Sequence, residues 1–118
     1  MKYLLILGLL LVTQCDSDDP IACTEEFVYG LNVTVRDAES GQIITENITV
    51  TATDDDYEET LMTFPGNDNF FGAGERQGNY IISITGEGYE PFVSEEFTVG
   101  ADECHVIPLA VEFAIQPL

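Results

Sequence analysis

The sequence has very few basic residues. Its 118 residues include three Lys and Arg together against 22 Asp and Glu, which gives a formal charge of −19 at pH 7. Proteins that bind nucleic acid do so largely through Lys and Arg side chains that neutralise phosphates. The composition therefore excludes nucleic acid as a partner, and it argues against binding of anionic lipid by the folded surface. The charge is expected to favour solubility outside the cell and weak self-association.

Tryptophan is absent, and histidine occurs once, as His105. With a single histidine and no Cys-x-x-Cys, the chain lacks the ligand pattern of a zinc site. Nucleophilic catalysis needs a base held near a hydroxyl or thiol, and His105, beside Cys104 at the start of a predicted strand, is interpreted as structural. Among 22 acidic residues, carboxylate pairs arise by chance and carry no signal for acid–base catalysis. The sequence predicts neither an enzyme nor a cofactor.

Only one apolar run is long, and it lies at the N-terminus. Residues 3–12 are mostly Leu, Ile or Val, and Lys2 is the only charged residue before Cys15. This run is too short for a membrane-spanning helix, which needs about 20 apolar residues. A basic start, a short apolar stretch and a polar exit are the layout of a secretory signal.

The cysteine at the end of this stretch predicts a lipoprotein signal over residues 1–14. The mature chain is then expected to begin at Cys15, with lipid on its thiol as a membrane anchor. Gln14 departs from the small residue that usually precedes such a cysteine. Secretion without lipid is therefore the alternative.

Residues 15–24 are predicted to form an acidic linker, and residues 25–118 a single domain. Asp16, Asp18 and Asp19 follow the lipidated cysteine directly. An acidic residue at this place resembles two bacterial sorting signals, one for retention in the inner membrane and one for export to the cell surface. The Ser-Asp-Asp run favours the second, so the outer membrane or cell surface is expected rather than the inner membrane. The expected location is the cell envelope, on the extracytoplasmic side.

If Cys15 carries lipid, Cys23 and Cys104 remain as a pair. In an oxidising compartment two such residues are expected to form a disulfide, although free thiols are the alternative. Cys23 lies just before the first predicted strand and Cys104 just before the last. A bond between them predicts that these two strands start at the same end of the domain and run in parallel.

The domain alternates between apolar and polar residues with a period of two, as half-buried strands do. Seven strands are predicted, separated by turns rich in Gly, Asn and Asp, and no helix follows the signal. They cover residues 27–37, 46–54, 59–64, 70–75, 79–85, 91–100 and 105–117. In the sixth strand Val93, Phe97 and Val99 are expected to share one face, which Glu95 interrupts. Pro108 in the seventh strand indicates either an edge position or an unpaired first half. The predicted fold class is all-β, a seven-stranded sandwich of two sheets.

Short motifs in the turns resemble those of carboxypeptidase regulatory-like, or transthyretin-like, sandwich domains. The likeness covers residues 27–117 and consists of a D-x-x-[ST]-G turn, a G-x-Y before a strand and a G-Y after it. The matching residues are Asp37, Ser40, Gly41, Gly78, Tyr80, Gly88 and Tyr89. The resemblance implies a non-catalytic accessory module. Some transthyretin relatives hydrolyse a purine-pathway intermediate with several histidines, a set that this chain lacks.

Two binding alternatives are open. A run of acidic residues is a weak candidate for calcium, which prefers six to eight oxygen ligands, although a solvated turn is the plainer interpretation. Its members are Asp54, Asp55, Asp56, Glu58 and Glu59. Exposed aromatic residues could bind a glycan, and the candidates for that role are Tyr57, Phe70, Phe71 and Tyr89.

The sequence as a whole predicts a lipid-anchored, non-catalytic module of the cell envelope with a structural or protein-interaction role. Its expected partners are the membrane, through the anchor, and another envelope protein or a glycan. A carbohydrate-binding module and a calcium-stabilised, adhesin-like domain are the alternatives.

Overall fold

Seven strands make up the regular structure of residues 22–118, the part of the chain that the computed structural model describes. The predicted signal, Cys15 and most of the linker lie outside the described residues. The strands are β1 (Tyr29–Asp37), β2 (Ile48–Asp54), β3 (Tyr57–Thr60), β4 (Phe70–Gly74), β5 (Gly78–Gly86), β6 (Phe92–Val99) and β7 (Leu109–Ile115). This region contains no helix, and so none that would suffice to cross a membrane.

The strands form two packed sheets. One sheet has three strands in the order β4-β1-β7, and the other has four in the order β3-β2-β5-β6. Neighbouring strands are antiparallel except for β1 and β7, which are parallel. The prediction of an all-β sandwich with seven strands in two sheets is confirmed.

The core lies between the sheets and follows the period-two pattern. Side chains of a strand alternate between its two faces, so that every second residue of a central strand points inward. On β1, β2 and β5 eight inward side chains have no solvent exposure. They are Leu31, Val33, Val35, Val50, Ala52, Tyr80, Ile82 and Ile84.

The first and last strands pair side by side, as the cysteine positions predict. Cys23 and Cys104 form a disulfide with their Cα atoms 5.2 Å apart. The parallel register then runs from Leu31 opposite Leu109 to Asp37 opposite Ile115. Pro108 directly precedes β7, an edge strand, where its missing N–H interrupts no ladder.

The third strand lies earlier in the chain than predicted. The expected range was 59–64, but β3 spans Tyr57–Thr60, and Met62 forms only an isolated bridge with Phe71. Asp55 and Asp56 are the two-residue loop of a tight hairpin, with Asp54 opposite Tyr57. Asp55 adopts a φ of 54°, the left-handed conformation that closes such loops and that Asp tolerates. Asp55 and Asp56 therefore form the turn, while Asp54, Glu58 and Glu59 belong to the two strands that it connects.

The expectation that Val93 shares a face with Phe97 and Val99 is wrong, because β6 contains a bulge. Ile81 pairs with Glu96 but Ser83 pairs with Val93, so β6 has one residue more than β5 between these pairs. An extra residue reverses the alternation of side chains beyond it. Val93 is 67% exposed, and Phe92 packs against the core in its place. The Ser94 hydroxyl accepts a hydrogen bond from the Ile82 N–H at 2.8 Å and so satisfies this donor at the bulge.

Candidate functional site

A cluster around Arg76 connects β2, β3 and β5. Its guanidinium lies over the Tyr57 ring, 3.7 Å from the centroid, and donates to Asp54 Oδ2 at 3.1 Å. The guanidinium also donates to the Tyr80 hydroxyl, which in turn donates to the Arg76 carbonyl at 2.8 Å. A side chain at Gly78 would collide with Asp54 and Arg76, which explains the glycine of the G-x-Y motif. The groups of this cluster bond to one another, so its role is structural.

The calcium candidates point in different directions. Asp54 is paired with Arg76. One oxygen of Glu59 accepts hydrogen bonds from the Tyr57 hydroxyl at 2.8 Å and the Ala73 N–H at 3.0 Å. The other three, Asp55, Asp56 and Glu58, are exposed to solvent. Within residues 22–118, no three acidic, histidine or cysteine side chains converge as a metal-binding group.

The two turn motifs of the family resemblance meet in space. Asp37 Oδ1 accepts hydrogen bonds from the backbone N–H groups of Glu39 and Ser40 at 2.8 and 2.9 Å. Its Oδ2 accepts one from the Tyr89 hydroxyl at 2.8 Å, from 52 residues away. These bonds, led by the one from Ser40, hold the pKa of Asp37 below its ordinary value. A shallow pocket of about 260 Å³ lies beside Asp37 and Tyr89. The motif residues thus brace one end of the sandwich.

His105 joins three chain segments beside the disulfide. Its Nδ1 lies 2.5 Å from Glu75 Oε2, and its Nε2 lies 3.0 Å from Thr24 Oγ1. Glu75 also accepts hydrogen bonds from the backbone N–H groups of Val28 and Val106 at 3.1 and 3.2 Å. We call Thr24, Glu75 and His105 the histidine clasp, because it ties the start of the domain to the β4–β5 turn and to the segment before β7.

The clasp has the order hydroxyl, imidazole, carboxylate that is found in hydrolase triads. In such triads the imidazole must be neutral in order to accept the proton of the hydroxyl. The hydrogen bond with Glu75 raises the pKa of His105 above 6.5 against the effect of burial, and the charges of Glu75, Glu26 and Asp102 add to it. The raised pKa favours the imidazolium, which stabilises the contact with Glu75.

The clasp predicts a pH-dependent stability. Burial tends to raise the pKa of Glu75, but hydrogen bonds from His105, Val106 and Val28 outweigh it and lower this pKa below 4.5. The Glu75 contribution is lost as pH falls below 4.5 through the folded pKa, and the His105 contribution is lost as pH rises above 6.5 through its folded pKa. The clasp is expected to stabilise most between these values.

Thermal melts of the wild type and of His105→Gln from pH 4 to pH 9 test this expectation. The difference in melting temperature between the two proteins is expected to be greatest between about pH 4.5 and 6.5 and to shrink on both sides. The variant serves as the reference because the other carboxylates titrate in both proteins. A difference that stays constant across the whole range would rule out the charged clasp.

The aromatic candidates for glycan binding occupy different environments. Phe70 is only 4% exposed, and Tyr57 lies beneath Arg76. Tyr89 is engaged with Asp37. Phe71 is half-buried and faces away from the core. Of the four, Phe71 alone belongs to a larger group of rings that lies outside the core.

That group, the aromatic cluster, consists of Phe27, Tyr29, Phe64 and Phe71 on the outer side of β1 and β4. Tyr29 lies at its centre, with ring centroids 5.1 Å from Phe27, 5.8 Å from Phe64 and 5.7 Å from Phe71. Phe64 and Phe71 are 5.6 Å apart. Phe27 is 61% exposed. None of these rings belongs to the buried core or to the partly buried residues that pack against it.

Strict alternation along residues 27–37 would place Phe27 and Tyr29 on the same face as Leu31. The structure differs because Gly30 lies toward the core, where a Cβ would meet the buried side chain of Val99. Gly30 and Leu31 are both fully buried, which breaks the alternation at the start of β1. The glycine itself was the available signal, since glycine in a strand marks a close approach.

A polar row continues the same outer face. It consists of Asn32, Thr34 and Asn69. Thr34 Oγ1 donates to Asn69 Oδ1 at 3.3 Å, and the Asn69 amide donates to Asn32 Oδ1. Asn32 lies opposite Phe71 on β4 and opposite Ala110 on β7, so the aromatic cluster and the polar row are contiguous.

Comparison with known protein families and with curated proteins finds no match for this sequence. The β-sandwich therefore stands on the structure. The resemblance to carboxypeptidase regulatory-like domains stays a prediction from the turn motifs.

Proposed function

We propose that this chain is a non-catalytic β-sandwich module of the cell envelope, anchored by lipid on Cys15, with a structural or protein-interaction role. The observation that carries the proposal is the disulfide between Cys23 and Cys104. Disulfides form and persist in oxidising compartments, and small secreted domains depend on them. This supports an extracytoplasmic location independently of the signal sequence.

The disulfide also determines how the anchor would hold the domain. Cys23 follows Cys15 by eight residues, 23 − 15, so the stretched linker reaches at most about 28 Å. The linker would be joined covalently to the start of both β1 and β7. The sandwich would therefore stay close to the membrane, and its acidic surface would repel anionic lipid and orient the domain outward.

The contacts of the turn-motif residues support a structural role. Asp37 and Tyr89 brace one end of the sandwich, and the histidine clasp braces another part of it beside the disulfide. A carboxypeptidase regulatory-like identity, proposed here from the motifs, agrees with a module that presents or spaces other parts.

Detergent phase partitioning of the wild type and of Cys15→Ser in a bacterial host tests the anchor. The wild type is expected to enter the detergent phase and to carry acyl chains on an N-terminal Cys15, whereas the variant stays in the aqueous phase. Two or more acyl chains give stable membrane attachment, and a protein without them has no such affinity. A wild type whose mature N-terminus is another residue, or is unmodified, would refute the anchor.

The carbohydrate-binding alternative is favoured by one particular observation, the partly exposed aromatic cluster beside the polar row. The calcium-stabilised alternative has no comparable support among residues 22–118, where the acidic candidates point apart.

A further inference from the structure

The outer face of the three-stranded sheet carries no net charge on a strongly acidic protein. Among residues 22–118, the only charged strand residues of this face between the aromatic cluster and the far end of the sheet are Arg36 and Glu112, which pair with each other. The rest is the polar row and two exposed alanines, Ala110 and Ala114. The exposed acids of β3 and β6, by contrast, are Glu58, Glu95 and Glu96.

This distribution of charge selects among ligands. With a formal charge of −19, the protein repels acidic polymers and anionic membranes. A cationic peptide is attracted to the acidic strands in preference to a neutral face. The neutral face therefore suits an uncharged ligand, and its combination of ring surfaces with amide and hydroxyl groups suits one with apolar faces and a rim of hydroxyls.

We propose that the aromatic cluster and the polar row form a binding surface for a neutral oligosaccharide. This inference rests on the proposed function of an extracytoplasmic interaction module and gives that module a ligand class. Sugar rings offer C–H faces that stack on aromatic rings, while their hydroxyls exchange hydrogen bonds with amides.

The hydrogen-bonding groups at the face are suitably placed and available. The Asn32 side-chain N–H₂ has no acceptor among residues 22–118, although its Oδ1 is used by Asn69. The Tyr29 hydroxyl likewise has no partner among the described side chains, and Tyr29 is central to the cluster. Ala110, next to Asn32 on β7, leaves space for a ligand above the sheet. A sugar stacked on Phe71 would thus find a free donor beside it.

The most exposed ring is held in place by the fold. The Val28 N–H, next to Phe27, donates to Glu75 of the histidine clasp. Gly74 leaves room for the Phe27 ring, since a side chain there would overlap it. The disulfide at Cys23 fixes the chain just before this point. Ligand surfaces formed in advance bind more tightly because less conformational entropy is lost on binding.

The test uses the purified full-length mature protein, in detergent, on a printed array of neutral and acidic glycans, followed by titration calorimetry with the best neutral glycan. We expect binding to neutral glycans, with Phe27→Ala and Asn32→Ala each weakening affinity by about tenfold or more. The Phe27 side chain is 61% exposed, so its truncation to alanine is not expected to unfold the protein. Val93→Ala is the matched control, because Val93 is 67% exposed on the other sheet, and its affinity is expected to be unchanged.

Three results would overturn the inference. They are the absence of any glycan binding, binding to acidic glycans alone, and binding that Val93→Ala weakens as much as Phe27→Ala does. Capture of an envelope protein through the aromatic cluster, without glycan binding, would assign the face to a protein partner instead. Detergent phase partitioning and the mass of the N-terminal residue are measured on the same protein preparation that is used for the glycan array. An acylated protein that binds no glycan refutes the ligand class alone, whereas an unacylated one refutes the anchor.

Discussion

Replacing both Cys23 and Cys104 with serine is expected to lower the free energy of unfolding by about 4–5 kcal/mol. The bond joins residues 81 positions apart, so it closes nearly the whole domain into one loop. Chain-entropy models assign most of its effect to the unfolded state, which loses freedom when its ends are tied. For a domain of this size the melting temperature is expected to fall by roughly 20–30 °C.

Urea or thermal unfolding checks this value, with intact and reduced wild type compared to the double variant. Reduction of the wild type is expected to reproduce the stability of the double variant. Cys15→Ser is the control, since Cys15 lies outside the closed loop, and it is expected to leave the unfolding curve unchanged. A loss below about 1 kcal/mol would mean that the parallel pairing of β1 and β7 holds without the cross-link.

Tyr80→Ala is expected to cost about 3–5 kcal/mol, the range for removing a large buried aromatic side chain. Tyr80 has no solvent exposure and is the largest fully buried side chain of residues 22–118. Its ring lies among the inward residues of β5, with Ile82 and Ile84. Truncation removes apolar contacts and leaves a cavity between the two sheets that the surrounding core fills only in part.

Tyr80→Phe separates the ring from the hydroxyl. This variant keeps the packing but removes the group that bonds to the Arg76 carbonyl and guanidinium, so we expect a loss of about 1–2 kcal/mol. Tyr29→Phe is the matched control, because the Tyr29 hydroxyl has no partner among residues 22–118, and it is expected to be neutral. Chemical denaturation measures all three variants. If Tyr80→Phe proved as damaging as Tyr80→Ala, the hydroxyl contacts rather than burial of the ring would dominate.

Local alternation predicted the central strands well. On β2 and β5 the apolar residues in phase are buried, apart from the half-buried Ile48 at the start of β2, because both strands have neighbours on each side and pair with each other in an unbroken register. The alternation gave the wrong face where pairing with a neighbouring strand shifts the side chains from one face of the strand to the other. The bulge near Ser94 reverses the facing of Val93, and the close approach at Gly30 turns Tyr29 outward. Neither the bulge nor the close approach can be predicted from the period-two pattern of one strand, since both depend on its contacts with other strands.

The same limit applies to the functional face. Turn chemistry predicted the Asp37 turn, but not its contact with Tyr89, 52 residues away. Likewise the candidates for glycan binding included Phe71 but missed Phe27, Tyr29 and Phe64, which join it only after β1 and β4 pair. The Asp37–Tyr89 contact and the aromatic cluster combine residues that are distant in the chain, so no local sequence pattern predicts them.

The sequence by itself determined the all-β class, the number of strands and the cysteine pair with its parallel terminal strands. These depend on side-chain periodicity and on chain order, which are local properties. Only the tertiary structure decided which rings face solvent, how Glu75 and His105 connect the start of the domain to the segment before β7, and that one face of an acidic protein is neutral. Those features arise from the register between strands, which is set by packing of the whole core.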